Sequence, residues 1–365
     1  MSWSFYPAKA GFPEFAADWD ELNRRLYRGH PFLDTAFVGP LVNHFAAADD
    51  ILAMHRTGGV VDAMLLLHQP AHGICASFLP SQAQIAPALL QSTEPLHTLL
   101  RSLPRFAVAL DLLCQDPEHS ITAALASYPG HEASAHATTT ATSLVGTFKA
   151  YWQARSRKLR EQIRRTLKKA EENGLKPRLE VASEPDTLKE RLKRYGLLES
   201  RGWKGQAGTA IHPGNVQGRF YEEVLLRFGK RSRSFVYELY MGDHLAASQL
   251  LIGNDYMLIG LKTTYDEALA VYSPGRLVHY LLLEREYAAQ RFQVLEYYTN
   301  ASAETLRWGT GQRVITHHRL YCYPWMLRLA MSYRNLKKLL TPSSHDRKHD
   351  AAPLTQEAAE EDASG

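Results

Sequence analysis

Between residues 147 and 173 the apolar residues Trp152, Leu159, Ile163, Leu167 and Ala170 recur at helical spacing, and Gly174 supplies a stop. This amphipathic segment divides the chain near its middle. Downstream the pattern predicts a strand over 178–182, a helix over 185–200 opened by Ser183-Glu184-Pro185, and a helix over 215–228 with Phe220, Val224, Leu225 and Phe228 on one face. Three strands follow, over 234–241, 244–252 and 256–263. Their connections, Gly242-Asp243 and Gly253-Asn254-Asp255, have hairpin-turn chemistry. A helix over 276–290, a strand over 294–299, a short helix over 303–308, a strand over 313–322 and a closing helix over 324–340 complete the series. Residues 341–365 show no periodicity and read as a disordered tail.

The first half repeats this order. Helices over 14–27 and 33–45 lead to strands over 51–55, 60–67 and 74–79, with Thr57-Gly58-Gly59 turning the first hairpin. A helix over 95–102, a strand over 106–113, a helix over 119–127 and a strand over 131–142 follow. The expected fold is therefore α+β and duplicated, with mixed, mainly antiparallel sheets flanked by helices. The expected divisions are an N-terminal domain at 1–146, a linker helix at 147–174, a C-terminal domain at 175–340 and the tail at 341–365.

The length of 365 residues suits two domains, and 45% hydrophobic with 22% charged residues is ordinary globular composition. No stretch reaches the roughly 18 uncharged residues of a membrane helix, and the N-terminus has no leader pattern, so the expectation is a cytoplasmic protein. Cys75, Cys114 and Cys322 are far apart and odd in number, which suggests reduced core cysteines, neither disulfides nor metal ligands. The net charge of +4 hides a tail with two basic and six acidic residues, leaving +8 on the rest. From Lys149 to Arg178 there are eleven Lys or Arg against three acidic residues. That face is either simply solvated or a contact for phosphates, anionic glycans, lipid headgroups or RNA.

The junction after the third strand of the second half carries most of the chemical signal. There Ser273-Pro274-Gly275-Arg276-Leu277 opens a helix, whose N-terminus offers unpaired N–H groups and the positive end of the helix dipole to a pyrophosphate. Together with the basic Ser156-Arg157-Lys158-Leu159-Arg160 helix, the Glu199-Ser200-Arg201-Gly202-Trp203-Lys204-Gly205 segment, the strand pair around Gly242 to Leu251, and Tyr265-Asp266 before Tyr272-Ser273-Pro274-Gly275, this resembles the FemA/FemB-like branch of the GNAT superfamily. The group it resembles most is the acetyltransferases linked to cellulose or exopolysaccharide synthesis. The usual GNAT phosphate loop is absent; Gly275 and Arg276 are what remain of it.

The resemblance implies tandem GNAT-like domains and acyl-CoA-dependent N-acylation, with acetyl-CoA or another acyl-CoA as co-substrate and no metal. The implied acceptor is a small amine on an amino sugar or a cell-envelope or exopolysaccharide precursor. FemA/FemB-like relatives that take aminoacyl groups from tRNA offer a second reading, and a non-catalytic assembly partner a third. Peripheral contact with an anionic membrane is compatible with the charge. The expected donor contacts are Gly260, Leu261, Ser273, Gly275, Arg276 and Leu277, with backbone N–H groups near Gly260 and Leu261 serving the oxyanion. Glu238 is the candidate base, Tyr321 or Tyr323 the candidate acid, and His318 a further base candidate. Trp203, Lys204, Tyr298 and Asn300 are the expected acceptor contacts. His317 and His318, being adjacent in a strand, point to opposite faces and cannot chelate one ion together.

Overall fold

The computed structural model describes residues 2–68, 73–201, 211, 212 and 214–340; Trp203, Lys204 and the tail at 341–365 lie outside these. The first half comprises β1 (Ser2–Pro7), α1 (Ala8–Glu14), α2 (Ala16–Tyr27), α3 (Thr35–Phe45), β2 (Ile51–Thr57), β3 (Val60–His68), β4 (Ile74–Ser77), β5 (Ala88–Leu90), α4 (Leu96–Ser102), β6 (Ala109–Gln115), α5 (Ser120–Leu125) and β7 (His131–Ser143). Two helices, α6 (Phe148–Gln153) and α7 (Arg157–Glu172), make the connection. The second half comprises β8 (Pro177–Ala182), α8 (Pro185–Arg201), α9 (Val216–Gly229), β9 (Ser234–Met241), β10 (His244–Gly253), β11 (Met257–Tyr265), α10 (Pro274–Ala289), β12 (Val294–Glu296), α11 (Ala303–Leu306), β13 (Gly311–Tyr321) and α12 (Pro324–Leu340).

The second half follows the hydrophobic pattern closely, and the first half repeats it. Two strands escape the pattern: β1, where Trp3, Phe5 and Tyr6 are only partly buried along an edge, and β5, which has three residues. The connecting segment is two helices instead of one. Ser156 caps α7 by accepting the Leu159 N–H at 3.2 Å, and Arg155 turns toward the Trp308 carbonyl at 3.3 Å. Leu159, Ile163 and Ala170 still bury the expected stripe.

The strands form one continuous sheet in the order β1-β2-β3-β4-β6-β13-β7-β12-β11-β10-β9-β8, with β5 paired to β3 outside that path. The order reads as two similar half-sheets that exchange their last strands. β7, from the first half, pairs with β12 of the second, and β13, from the second half, pairs with β6 of the first. Both exchanged strands run antiparallel to each other along most of their length. In each half one parallel pair, β4–β6 or β11–β12, interrupts an otherwise antiparallel ladder.

The apolar residues sort by sheet face, as the period of two requires. Val236, Leu250, Ile252 and Ile259 join α8, α9 and the first-half helices in one core. Tyr237, Leu239, Leu251, Leu258 and Leu295 face the other way, onto α6, α7 and α10. Among the described residues, no helix is long and apolar enough to cross a membrane.

The exchange makes each half-sheet dependent on the other. A fragment of residues 147–340 lacks β6 and β7, so β12 loses one of its two neighbours and β13 both of its own. Expressed alone it is expected to aggregate or to lose its cooperative melt, and co-expression with residues 1–146 is expected to return a soluble complex. A monomeric 147–340 fragment melting near the full chain would contradict this topology.

Candidate active site

The parallel pair β11–β12 is short. Met257, Leu258 and Ile259 lie opposite Val294, Leu295 and Glu296, and there the pairing stops. Two features produce the opening. The chain after Glu296 follows β7 instead of β11, with Tyr297 N–H donating to the Thr140 carbonyl at 3.4 Å and Ala301 N–H to that of Thr138 at 2.7 Å. On the other side, the β10–β11 register slips between Leu250–Lys262 and Leu251–Gly260, leaving Leu261 as an extra residue. Such a bulge bends the strand and redirects its main-chain groups. Gly260 lies at the mouth, where an added Cβ would sit 3.9 Å from the Glu296 carbonyl oxygen.

The corresponding place in the first half is closed. After the three β4–β6 pairs the Ser77 hydroxyl donates to the Asp111 carbonyl at 3.2 Å and accepts the Leu113 N–H at 3.4 Å. Its helix α4 has seven residues and does not follow β4 directly. In the second half α10 has sixteen residues and closely follows β11 across a short 3-10 turn, Glu267–Tyr272.

Glu296 faces the α8–α9 side of the sheet and is 3% exposed. One of its oxygens accepts from Arg313 at 3.0 Å, and the same guanidinium grips Asp116 through Nε at 2.8 Å and a terminal nitrogen at 2.7 Å. Tyr298 donates to Asp116 at 2.8 Å and contacts His30 Nε2 at 2.9 Å. His30 Nδ1 accepts the Phe32 N–H, so the ring proton sits on Nε2 and points at the Tyr298 oxygen. Thr139, opposite Arg313 in the β7–β13 ladder, has a buried hydroxyl without a hydrogen-bond partner.

One cation thus serves two buried carboxylates, and their acidities separate. Burial pushes Glu296 up to about 7 despite Arg313. Burial would raise Asp116 as well, but the hydrogen bonds and charge of Arg313 hold it below the ordinary carboxylate range. On the opposite face of β12, Tyr297 meets His279 of α10 at 2.8 Å and Thr142 at 2.9 Å, and burial lowers His279 to about 4.

Of the residues expected from sequence, Gly260, Leu261 and Tyr298 border the opening. Ser273 precedes α10 in the left-handed conformation at φ 44°, and its carbonyl accepts the Arg276 and Leu277 N–H groups at 3.0 and 3.1 Å. A Cβ on Gly275 would meet the Tyr265 ring at 3.5 Å, an ordinary contact. Arg276 is engaged by Glu304 through two bonds of 2.8 and 3.2 Å, and the Leu277 side chain is buried. Lys169 of α7 lies over the Tyr272 ring, which brings the basic helix beside the start of α10. Asn300 is exposed on the loop beyond Tyr298.

The four catalytic candidates lie elsewhere. The Glu238 carboxylate, fully buried on β9, is occupied by Arg191, by Arg194 at 3.0 and 3.1 Å, and by Tyr240 at 3.0 Å. His318 and Tyr321 lie five and eight residues along β13 from Arg313, about 17 and 26 Å at 3.3 Å per residue. His318 contacts His131 and Thr316, both at 2.8 Å, and burial lowers it to about 4. Tyr323 is exposed beside Trp325. Glu296, Arg313 and Asp116 were not singled out from sequence; the available signal was a charged residue closing the apolar run Val294-Leu295.

A duplicated sheet with an open parallel pair in one half defines the class: the structure is a tandem GNAT fold. Residues 157–304 match the family described as the acetyltransferase (GNAT) domain, whose general chemistry is N-acyl transfer. Three solved structures share the fold. FemX is 11% identical, with a TM-score of 0.56 covering 90% of this chain and 99% of that one. The C-terminal domain of an Agrobacterium fabrum protein assigned as a lysylphosphatidylglycerol synthetase is 10% identical, with a TM-score of 0.53 covering 89% and 96%. A conserved protein of unknown function from Bacteroides thetaiotaomicron is 9% identical, with a TM-score of 0.51 covering 86% and 97%. No curated protein matches the chain in sequence.

The shared cation yields a prediction about stability. Arg313→Met leaves Asp116 and Glu296 buried without their partner and is expected to cost about 3 to 5 kcal/mol in denaturant unfolding. Glu296 is raised in the folded state, so its contribution to stability is fully present below its ordinary carboxylate value and is lost as pH rises through about 7. The Arg313→Met defect is accordingly expected to be larger at pH 8 than at pH 5. Equal defects at the two pH values would mean that Glu296 does not titrate in this range.

Proposed function

We propose that this chain is an acyl-CoA-dependent N-acyltransferase whose donor enters the opening between β11 and β12 and whose base is Glu296. The observation that carries the reading is the coincidence of that opening with a buried carboxylate raised to about 7. A base poised near neutrality is what removing a proton from an attacking amine requires. Acetyl-CoA, or another acyl-CoA, is the donor we favour. For the acceptor we favour the amine of an amino sugar or of a related cell-envelope or exopolysaccharide precursor.

The amine nitrogen attacks the thioester carbon, forming the C–N bond while Glu296 takes the amine proton. Main-chain N–H groups of β11 at the Leu261 bulge stabilise the oxyanion. The C–S bond then breaks, and the departing thiolate recovers a proton from Glu296 or from water. Arg313, itself held by Asp116 and Tyr298, fixes the carboxylate and keeps it from rising further. The start of α10 at Gly275, with Lys169 alongside, supplies the positive field for the donor's phosphates. Arg276 contributes only by sharing its charge with Glu304.

An aminoacyl-tRNA donor is the second reading, favoured by the exposed basic face of α7, where Arg164, Arg165 and Lys168 lie in solvent.

Calorimetric titration with acetyl-CoA is expected to show binding to the wild type and binding weakened at least about tenfold in Gly275→Val, with circular dichroism unchanged. Under turnover, kcat/KM is expected to fall on acidification through about pH 7, because the base must be ionised. Glu296→Gln is expected to remove that limb and lower kcat by about 10² to 10⁴. Loss of acetyl-CoA binding with retention of salt-sensitive tRNA binding would move the chain to the second reading. Binding of neither would leave a non-catalytic partner.

A further inference from the structure

Away from the opening, where β6, β13 and β7 run side by side, three potential metal ligands from distant parts of the sequence converge. Cys114 lies on β6, His317 on β13 and His136 on β7. Their ligating atoms all lie within 4.8 Å of one another, and the two imidazole centroids are 4.4 Å apart. Two irregularities in the sheet bring them together. The β7–β13 register passes from Ile315–Ala137 to Thr316–Ala135, which leaves His136 as an extra residue. The β6–β13 register passes from Thr316–Gln115 to His318–Leu112, which places Leu113 and Cys114 against His317.

At the second irregularity Cys114 adopts φ 44°, in the left-handed region that residues other than glycine rarely occupy. Bulges re-aim side chains, and here two of them act on neighbouring strands toward one point. His317 Nδ1 accepts the Cys114 N–H at 3.0 Å, which fixes the ring beside Cys114, and a metal taken by that nitrogen would replace this hydrogen bond. His318, next in the chain, turns to the other face and pairs with His131.

We propose that Cys114, His136 and His317 bind one divalent transition metal of the zinc class. A thiolate with two imidazoles is a donor set for zinc, cobalt or a similar borderline ion and is a poor one for calcium or magnesium. Tetrahedral zinc with nitrogen at about 2.0 Å and sulfur at about 2.3 Å spaces its ligands by roughly 3.5 Å, so the three atoms need only a small closing movement. Binding replaces the Cys114 thiol proton with the metal and releases that proton to solvent. His136 is exposed and Cys114 buried, so the ion enters from the His136 side and its fourth position faces solvent. Because β6 and β7 come from the first half and β13 from the second, the ion ties the exchanged strand to its hosts. The proposal is independent of acyl transfer.

The test is titration of Co²⁺ into the full chain, stripped with chelator and carrying no polyhistidine tag. The expected result is one equivalent bound with a thiolate-to-metal charge-transfer band, displaced by Zn²⁺, and a melting temperature that rises with either ion. His136→Ala, at an exposed position where folding is preserved, is expected to weaken Co²⁺ binding by at least about a hundredfold. Cys114→Ser, if folded, is expected to abolish the charge-transfer band. The absence of such a band in the wild type, or identical affinity in His136→Ala, would overturn the proposal. So would binding that survives both changes and is lost in His68→Ala, beside the other cluster of potential ligands at Asp49 and Asp50.

Discussion

The pairing of β7 with β13 is the constraint on which the remaining architecture depends. Each strand belongs by sequence to one half and finds both of its hydrogen-bonded neighbours in the other, so the sheet is continuous across the chain's internal duplication. The opening at the candidate site lies where the same exchange brings β7 beside β12. β12 has β7 on one side and β11 on the other; after Glu296 the chain continues along β7 and its pairing with β11 ends. Past Ile259 the inner edge of β11 therefore faces a gap. The bulge at Leu261 widens it, while the equivalent gap in the first half is bridged by Ser77.

The exchange also sets the electrostatics. Arg313 arrives on the borrowed strand β13 and meets Asp116 from the end of β6 and Glu296 from the end of β12. Two buried carboxylates cannot both be fully neutralised by one guanidinium. The geometry favours Asp116, which receives three bonds, and leaves Glu296 with one. Desolvation then dominates at Glu296, and its acidity moves toward neutrality. Glu238, equally buried, faces two arginines of its own and serves the packing of α8 on β9.

Local pattern foretold most of the elements because their apolar positions keep a period, as in β9, β10 and α7. It missed β1 and β5, where the run is short or only half-buried, and it merged α6 with α7 because both continue one stripe across the Ser156 cap. The duplicated order was legible, but the exchange of strands was not, since nothing within β7 or β13 records which neighbour each will take. The side proposed here for the donor, Gly260, Leu261 and Ser273-Pro274-Gly275, drew notice in the sequence because its neighbours in sequence are also its neighbours in space. Glu296 was not, because its distinction comes from burial beside residues far away in sequence. Arg276 looked free in the sequence and is held by Glu304 for the same reason.

In the function proposed here only the second half's parallel pair admits a donor. Hydrogen exchange with and without saturating acetyl-CoA tests it most directly. Slowed exchange is expected in peptides spanning 257–277 and 294–300, with no change in those spanning 74–78 and 109–115. Protection confined to the first-half peptides, or none under conditions where calorimetry shows binding, would contradict it.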